Sequence, residues 1–556
     1  MSKVSRLLRS KNVTVASLLD VLLPLRRERI VSYHEDMTSL SGEPQRKQTF
    51  GELHHEVCAM SRFLVEEGGM SKGDRVVIYK TNDPRCFRWF MAIIRAGGVA
   101  VPLNPLLSPA EVHAIVKHCK AGIMVTDRPL YEKYAQSGDS PTVPVMIQSD
   151  HEPLMDNTFL RISGKHLEKP PLAPAHVGPD ETVAIFHTSG TSGAPKGAML
   201  SSRALLGGSA SAAILSPFIR RKELALFTLP WAHIMAVSAA LYGLIIGIPG
   251  LFLERFETAR VLEMIEKHRI TSFIGVPAMF IRILKADPDP RRLAGIRMWI
   301  SASDRLPEPV RTALLRYGAL YRIFGKRLAP PLLIDFYGMV ELGGSAMMGI
   351  KAPFLPGAGD LCIPIPPFRV RIVDENGVET PAGQSGECQI SGPGITSGYW
   401  ENPEESRALM TPDGWLRTGD LAARNRFGLI RVKGRIKDVI KCGGYSIYSS
   451  ELEEAIASHP SVARAAVIGV PHPLQGEAPI GIVELSSPAT EEEILCWCRN
   501  RLAEYKAPRK IIFAEKNGLP TGVTEKVLKR DLREKYAMYY RSGDESPCAP
   551  ETAPSI

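Results

Sequence analysis

From Thr49 onward, short apolar runs alternate with segments of helical period, and this alternation restricts the fold more than any other feature of the chain. Arg75 to Tyr79, Val99 to Leu103 and Gly122 to Thr126 read as strands. Between them, Asp83-Pro84 opens a helix running to Arg95, and the capping box Ser108-Pro-Ala-Glu111 opens another that ends near Lys120. Repeated strand-helix units predict an α/β fold with mainly parallel sheet. Later strands are expected at Val183 to Phe186, Leu224 to Leu229, Ile270 to Val276 and Leu332 to Phe336, with a helical period from Thr258.

The texture changes after Phe368. Alternating strands at Arg369 to Val373 and Glu387 to Ser391 are broken by Asp374-Glu-Asn-Gly377 and Pro381-Ala-Gly383 turns, which predicts a β-rich subdomain over about 357–434. A boundary falls near Gly434 to Asp438, giving a large N-terminal domain over 1–436. The rest, 437–540, reads as a small α+β domain: helix Ser450 to Ser458, strand Val462 to Val470, helix Glu491 to Glu504 and strand Lys510 to Phe513. Residues 541–556 lack apolar periodicity and are expected to be disordered.

The stretch Thr188 to Gly197, TSGTSGAPKG, concentrates three glycines, several hydroxyls and Lys196. Glycines turn backbone N–H groups toward an anion, hydroxyls add donors and the lysine adds charge, so the stretch reads as a phosphate-holding loop. It departs from the P-loop, because Gly197 rather than Ser or Thr follows Lys196. With a strand before it and a helix from Ser202 to Leu215 behind it, the loop leaves the end of a strand, where α/β sheets bind ligands.

A balance of 68 Lys+Arg against 59 Asp+Glu gives +9, without a dense basic run interleaved with aromatics, which suits nucleotides rather than nucleic acid. Nine scattered cysteines with no metal spacing read as thiols in a reducing, cytoplasmic setting. Ile234 to Leu253 carries no charge, but Pro249-Gly250 ends any helix there, so a buried core helix followed by a short strand is expected rather than a membrane span.

Six motifs in order then agree: TSGTSGAPKG, LPWAH at Leu229, YGMVE at Tyr337, GYW followed by LRTGD to Asp420, GRIKDVIKCGGYSIYSSELE from Gly434, and Lys526 in LPTGVTEK. Over about Thr49 to Arg533 the chain resembles the adenylate-forming superfamily, in its acyl-CoA synthetase branch. The resemblance implies that a carboxylic acid attacks the α-phosphate of ATP to form acyl-AMP, and that CoA then displaces AMP. It also implies a mobile C-terminal domain. In the alternative readings the acceptor is a carrier protein acting in trans, or catalysis is impaired. Peripheral membrane contact is compatible with either reading, and oligomeric state is left open.

By the same resemblance, Thr188, Ser189, Gly190, Thr191, Ser192, Gly193 and Lys196 hold the ATP phosphates. Glu341 binds Mg2+, Tyr337 faces adenine, and Asp420 and Arg435 reach the nucleotide. Lys437 is the hinge, Lys441, Gly443 and Gly444 serve the thioester step, and Lys526 bridges carboxylate and phosphate. His233, Ala236 and Gly338 are expected at the acyl pocket. The chain departs from the family pattern at Val340 (usually Thr), Glu525 and Cys362 (usually Gly), and Asp304-Arg305 in a loop that is usually small and apolar.

Overall fold

The computed structural model describes residues 13–35, 37–135, 143–148, 154, 159–188, 196–208, 222–324, 326–351, 361–515, 518–521 and 527–540. The chain divides into two compact units, Met1–Arg371 with Gln389–Arg417, and Ile372–Cys388 with Thr418–Ile556.

The first unit holds two large sheets among the described residues. One has seven strands in the order Phe159–Leu160, Val145–Gln148, Ile123–Thr126, Arg75–Tyr79, Val99–Pro102, Thr182–Thr188 and Lys196–Ser201. All neighbours are parallel except the last pair. The continuous apolar run Val76-Val77-Ile78-Tyr79 is at most 3% exposed, as expected of a strand covered on both faces. Both predicted caps operate: Ser108 and Glu111 close a capping box on helix Pro109–Cys119, and Asp83 Oδ1 accepts from the Arg85 N–H at the start of helix Arg85–Arg95.

The second sheet has nine strands, with a parallel centre of Gly250–Phe252, Ala225–Phe227, Ser272–Gly275, Met298–Ala302 and Leu332–Met339. The uncharged stretch forms helix Ile234–Ile246 and strand Gly250–Phe252. Thirteen residues make a helix of about 20 Å, short of a bilayer core. Among the described residues no helix is long and apolar enough to cross a membrane. Pro277 does more than close a strand: it is the first residue of helix Pro277–Lys285.

Both strands expected after Phe368 appear, as Arg369–Val373 and Ser385–Ser391, joined by two that were not expected, Leu416–Arg424 and Ile430–Arg435, and the division between units falls within this stretch. The second unit contains a sheet in the order Tyr445–Tyr448, Val439–Cys442, Gly476–Leu485, Val462–His472, with Lys510–Ala514 parallel to Gly476–Leu485. Helices Ser449–Ala457 and Glu491–Arg499 cover one face; the second helix stops five residues short of the expected Glu504, which begins a separate 3-10 turn Glu504–Lys506. The tail from residue 541 lies outside the described residues.

Candidate active site

The phosphate loop differs from its expected setting. A strand, Lys196–Ser201, stands between it and the helix, and that strand pairs antiparallel with Thr182–Thr188. The loop therefore closes a β-hairpin, with Thr188 directly opposite Lys196. The helix that follows is Ser202–Gly207, and the rest of the predicted helix lies outside the described residues. So do Ser189, Gly190, Thr191, Ser192 and Gly193. A β-carbon on Gly197 would lie 2.7 Å from Ile185 Cγ2, so the last glycine of the motif is needed for strand packing.

The hairpin carries Lys196 to a small polar cluster. Its Nζ lies 2.7 Å from Glu405 Oε1 and 5.6 Å from the centre of the Tyr399 ring. Tyr399 in turn donates its phenol proton to Glu341 Oε1 at 2.7 Å, and both residues are buried. The backbone holds the arrangement: Trp400 N–H donates to Gly197 O at 2.7 Å, Met199 N–H to Gly398 O at 2.9 Å, and Thr396 N–H to Glu341 O at 2.7 Å. Thus three motifs far apart in the chain meet at one place. Tyr399 and Glu405 received no individual role from sequence reasoning, although GYW was one of the markers.

Glu341 sits in the 3-10 turn Val340–Leu342, which ends at Gly343 with φ +64°. A β-carbon on Gly343 would come 2.4 Å from Ala204 O, so this turn packs closely on helix Ser202–Gly207. Val340 is half-buried against the main apolar core, which accounts physically for an apolar residue there. Tyr337 lies in strand Leu332–Met339, half-buried and paired with Met347. Gly338 is at a register shift, where a β-carbon would overlap Gly344 O at 2.0 Å. That steric demand explains Gly338 without appeal to a pocket.

His233 caps helix Ile234–Ile246, its Nδ1 accepting from Met235 N–H at 3.3 Å. Burial pushes its pKa down to about 4, so the ring is neutral near pH 7 and its proton resides on Nε2. Ala236 is 2% exposed within the main core. The half-buried residues of the same helix are instead Met235, Ser238, Ala239, Tyr242 and Ile246, spaced to share one face. Ser303 Oγ donates to Met235 Sδ at 3.5 Å and Ser238 Oγ to Gly343 O at 3.1 Å, which ties this face to the turn that carries Glu341.

The unusual loop has Ser303 at φ +77°, with Asp304 and Arg305 exposed. Beside it, two residues before Tyr337, burial pushes the Asp335 carboxyl up to about 6 against the opposing pull of Arg311, 3.0 Å away. Asp335 was not singled out in the sequence; a lone acid at the end of an apolar strand was the available signal.

In the second unit, Asp420 and Arg435 face each other across the strands Leu416–Arg424 and Ile430–Arg435. Arg435 Nε lies 3.0 Å from Asp420 Oδ1, and Arg435 Nη1 donates to Thr418 O at 2.9 Å. Thr418 Oγ1 accepts from Asp420 N–H at 3.1 Å and donates to Cys388 O at 2.6 Å, fixing the aspartate's backbone. Lys437 is exposed in the 3-10 turn Ile436–Asp438. Gly443 and Gly444, with φ +55° and +83°, form the two-residue turn between Val439–Cys442 and Tyr445–Tyr448. Such a turn needs positive φ at both positions, an independent reason for two glycines. Lys441 Nζ donates to Ser446 Oγ at 2.7 Å across it. Lys526 and Glu525 lie outside the described residues, in the segment closed by the Thr521↔Val527 bridge.

An AMP-binding enzyme profile matches residues 27–400, and an AMP-binding enzyme C-terminal domain profile matches 451–526. The chain belongs to the AMP-binding enzyme family. Within that adenylate-forming superfamily it falls in the acyl-CoA synthetase branch, the acid-thiol ligases. It is 30% identical to the long-chain-fatty-acid–CoA ligase of Thermus thermophilus, over 88% of this chain and 92% of the relative. It is 29% identical to the feruloyl-CoA synthase of an Amycolatopsis species, over 92% and 98%. Among solved structures, an o-succinylbenzoate coenzyme A synthetase from Bacillus subtilis, in complex with ATP and magnesium ion, superposes with a TM-score of 0.74 at 25% identity, covering 93% of this chain and 99% of that one.

For this AMP-binding enzyme the donor set fits a magnesium nucleotide. Among the described residues Tyr399 donates to Glu341 Oε1, and Oε2 is the oxygen that a hard cation would take. No cluster of three or more His, Cys, Asp or Glu side chains stands ready for a metal among the described residues. A cation at Glu341 would therefore take its remaining ligands from phosphate and water, which is the usual habit of Mg2+.

Proposed function

We propose that this acyl-CoA synthetase activates a carboxylic acid of the fatty-acid class, using ATP, Mg2+ and CoA. The observation that carries this reading is the Lys196–Tyr399–Glu341 arrangement. It brings a phosphate counter-charge and a cation-binding carboxylate together through one buried phenol. Bringing a carboxylate to a polyphosphate concentrates negative charge, so catalysis rests on positioning and electrostatic stabilisation.

In the first step a substrate carboxylate oxygen attacks the α-phosphorus and the bond to pyrophosphate breaks. Thr188 to Gly197 grips the departing phosphates, with Lys196 as counter-charge. Magnesium bound at Glu341 would neutralise phosphate oxygens. Tyr337 stacks on adenine, Asp420 accepts from the ribose hydroxyls, Arg435 orients Asp420, and Lys526 bridges carboxylate and phosphate. The neutral His233 offers its Nε2–H to the substrate carboxylate. In the second step the CoA thiolate attacks the acyl carbonyl and AMP departs, with the Lys441 to Gly444 turn as the approach surface and Lys437 as the hinge. The face of Met235, Ser238, Ala239 and Tyr242 supports an acyl chain that is mostly apolar, and the Thermus relative's name agrees with that class.

The test is a panel of carboxylates with Mg-ATP, assayed for pyrophosphate release and for thioester with CoA. Medium and long aliphatic acids should give CoA-dependent thioester. A preference for hydroxycinnamates or for small charged acids would overturn the fatty-acid assignment, and release of pyrophosphate with thioester formed only on a carrier protein would overturn CoA as acceptor.

A further inference from the structure

Strands Met298–Ala302 and Leu332–Met339 run parallel and side by side, with Ser301 opposite Asp335 and Ala302 opposite Phe336. The next residues, Ser303 and Tyr337, therefore come level with each other, toward the carboxyl ends where parallel sheets bind ligands. Strand alternation puts Asp335 and Tyr337 on one face. From Ser303 the chain leaves the sheet, and loop 303–307 joins it to helix Glu308–Leu314.

A single ion pair ties this loop down at both backbone groups of Leu306. Arg311, 2% exposed on the helix, donates from Nε to Leu306 O at 2.8 Å and from Nη2 to Asp335 Oδ2 at 3.0 Å. The Asp335 carboxylate in turn accepts from the Leu306 N–H. Strand, helix and loop thus each supply one member of a closed ring of contacts. Ahead of it, Ser303 stands at φ +77°, a left-handed conformation that a residue with a side chain keeps only where its surroundings impose it. Ser303 Oγ donates to Met235 Sδ at 3.5 Å, and the Arg305 N–H donates to Asp304 Oδ1 at 2.8 Å.

The ring depends on an ionised carboxylate, because a buried guanidinium is unfavourable once its counter-charge is gone. Burial pushes the Asp335 carboxyl up to about 6, while Arg311 and the Leu306 N–H pull it down. Of the two exposed charges on the loop, Asp304 adds to the rise and Arg305 opposes it.

We propose that Asp335 is a positioning residue for the nucleotide: with Arg311 it holds loop 303–307 against the base of ATP, and the protein's preference for ATP over bare phosphate depends on that hold. The inference rests on the reading of Tyr337 as the adenine face. When Asp335 takes up a proton, Arg311 loses its counter-charge and the Leu306 N–H loses a charged acceptor, so both anchors of the loop slacken together. Lys196, the phosphate counter-charge, belongs to the other large sheet and is untouched by this change. The base is then held less well while the phosphates are held as before.

The experiment is calorimetric binding of Mg-ATP and of magnesium with inorganic triphosphate to the full chain, from about pH 8 to about pH 5. The ratio of the two affinities cancels the titration of the phosphates and of the groups that grip them. ATP should bind more tightly than triphosphate at the upper pH and lose roughly tenfold of that advantage at the lower, the scale of one lost hydrogen bond to a charged group. In Asp335→Asn the advantage should already be about tenfold smaller at the upper pH and should no longer change with pH. Melting temperature shows whether the variant is folded, and the profile of the unmodified chain decides without it if it is not. An advantage that does not change with pH in the unmodified chain, or a change that persists in folded Asp335→Asn, would overturn the role of Asp335 alone. Equal binding of ATP and triphosphate at every pH by the unmodified chain would instead remove the adenine placement at Tyr337, and the role of Asp335 with it.

Discussion

The phenol of Tyr399 donates to Glu341 Oε1 at 2.7 Å with both side chains buried, so the orientation of the candidate cation-binding carboxylate depends on a residue nearly sixty positions away. Replacing Tyr399 with Phe keeps the ring and removes that hydrogen bond to a charged group, at a cost of about 1.5–3 kcal/mol in positioning Glu341. Pyrophosphate release titrated against Mg2+ should move to higher concentration and slow by roughly tenfold to a hundredfold by the same energies. Thioester formation from preformed acyl-adenylate should be unaffected; equal loss in both steps would argue against this role.

Lys196 is held by Glu405, whose side chain is 40% exposed, so the pair contributes little to stability, about 0–1 kcal/mol. Lys196→Ala should therefore leave the melting temperature nearly unchanged while slowing adenylation by about a hundredfold, the order expected for one lost electrostatic donor. Glu405→Gln releases the lysine toward phosphate, and the KM for ATP should fall or stay level. A large rise in KM for that variant would mean that Glu405 orients Lys196 rather than competing for it.

The Gly443-Gly444 turn separates a conformational role from a catalytic one. Each glycine has positive φ with open space around it, so alanine meets no clash and costs only the backbone conformation, about 1–2 kcal/mol per site. If the turn also admits the pantetheine arm, Gly444→Ala should slow thioester formation more than adenylation. Parallel losses that follow stability would leave the glycines a turn requirement alone.

A pH response in stability follows from Asp20, His54 and Arg95. The hydrogen bond to Asp20, 3.1 Å away, raises His54 to about 9. Burial raises Asp20, but hydrogen bonds from His54 and Arg95 outweigh it and hold the carboxyl at about 2. The histidine's contribution is complete below its ordinary 6.5 and is lost as pH rises through about 9. The aspartate's is complete above its ordinary 3.8 and is lost as pH falls through about 2. Melting temperature should thus decline between pH 6.5 and 9 in the unmodified protein. His54→Gln should flatten that decline and lose about 1–2 kcal/mol near pH 6, a value reduced for the partial exposure of Asp20. An unchanged slope in the variant would place the pH dependence elsewhere.

Much of the scaffold was readable because it depends on local rules. Apolar runs bounded by caps marked the parallel strands, Ser108 and Glu111 announced their helix three residues apart, and the uncharged helix ended before Pro249-Gly250 as expected, although the residue that caps it is the left-handed Gly247. The motifs that carry the family resemblance were equally legible, since TSGTSGAPKG and YGMVE are contiguous. Less legible was the strand Lys196–Ser201, which holds only six residues with a glycine and an alanine; its partner across the hairpin, rather than its own propensity, makes it a strand.

Local order in the chain was enough for an α/β fold with a phosphate-holding loop, because capping, strand period and glycine-rich loop chemistry act over ten residues or fewer, and the adenylate-forming family came from the resemblance of six motifs in order. Which side chains act together was decided only by tertiary structure. Tyr399 joins Lys196 to Glu341, Gly197 and Gly338 are required by neighbouring strands, and Arg435 pairs with Asp420 across a hairpin. Those relations arise where the backbone brings distant segments within 3 Å of each other, and no spacing along the chain encodes a distance of that kind.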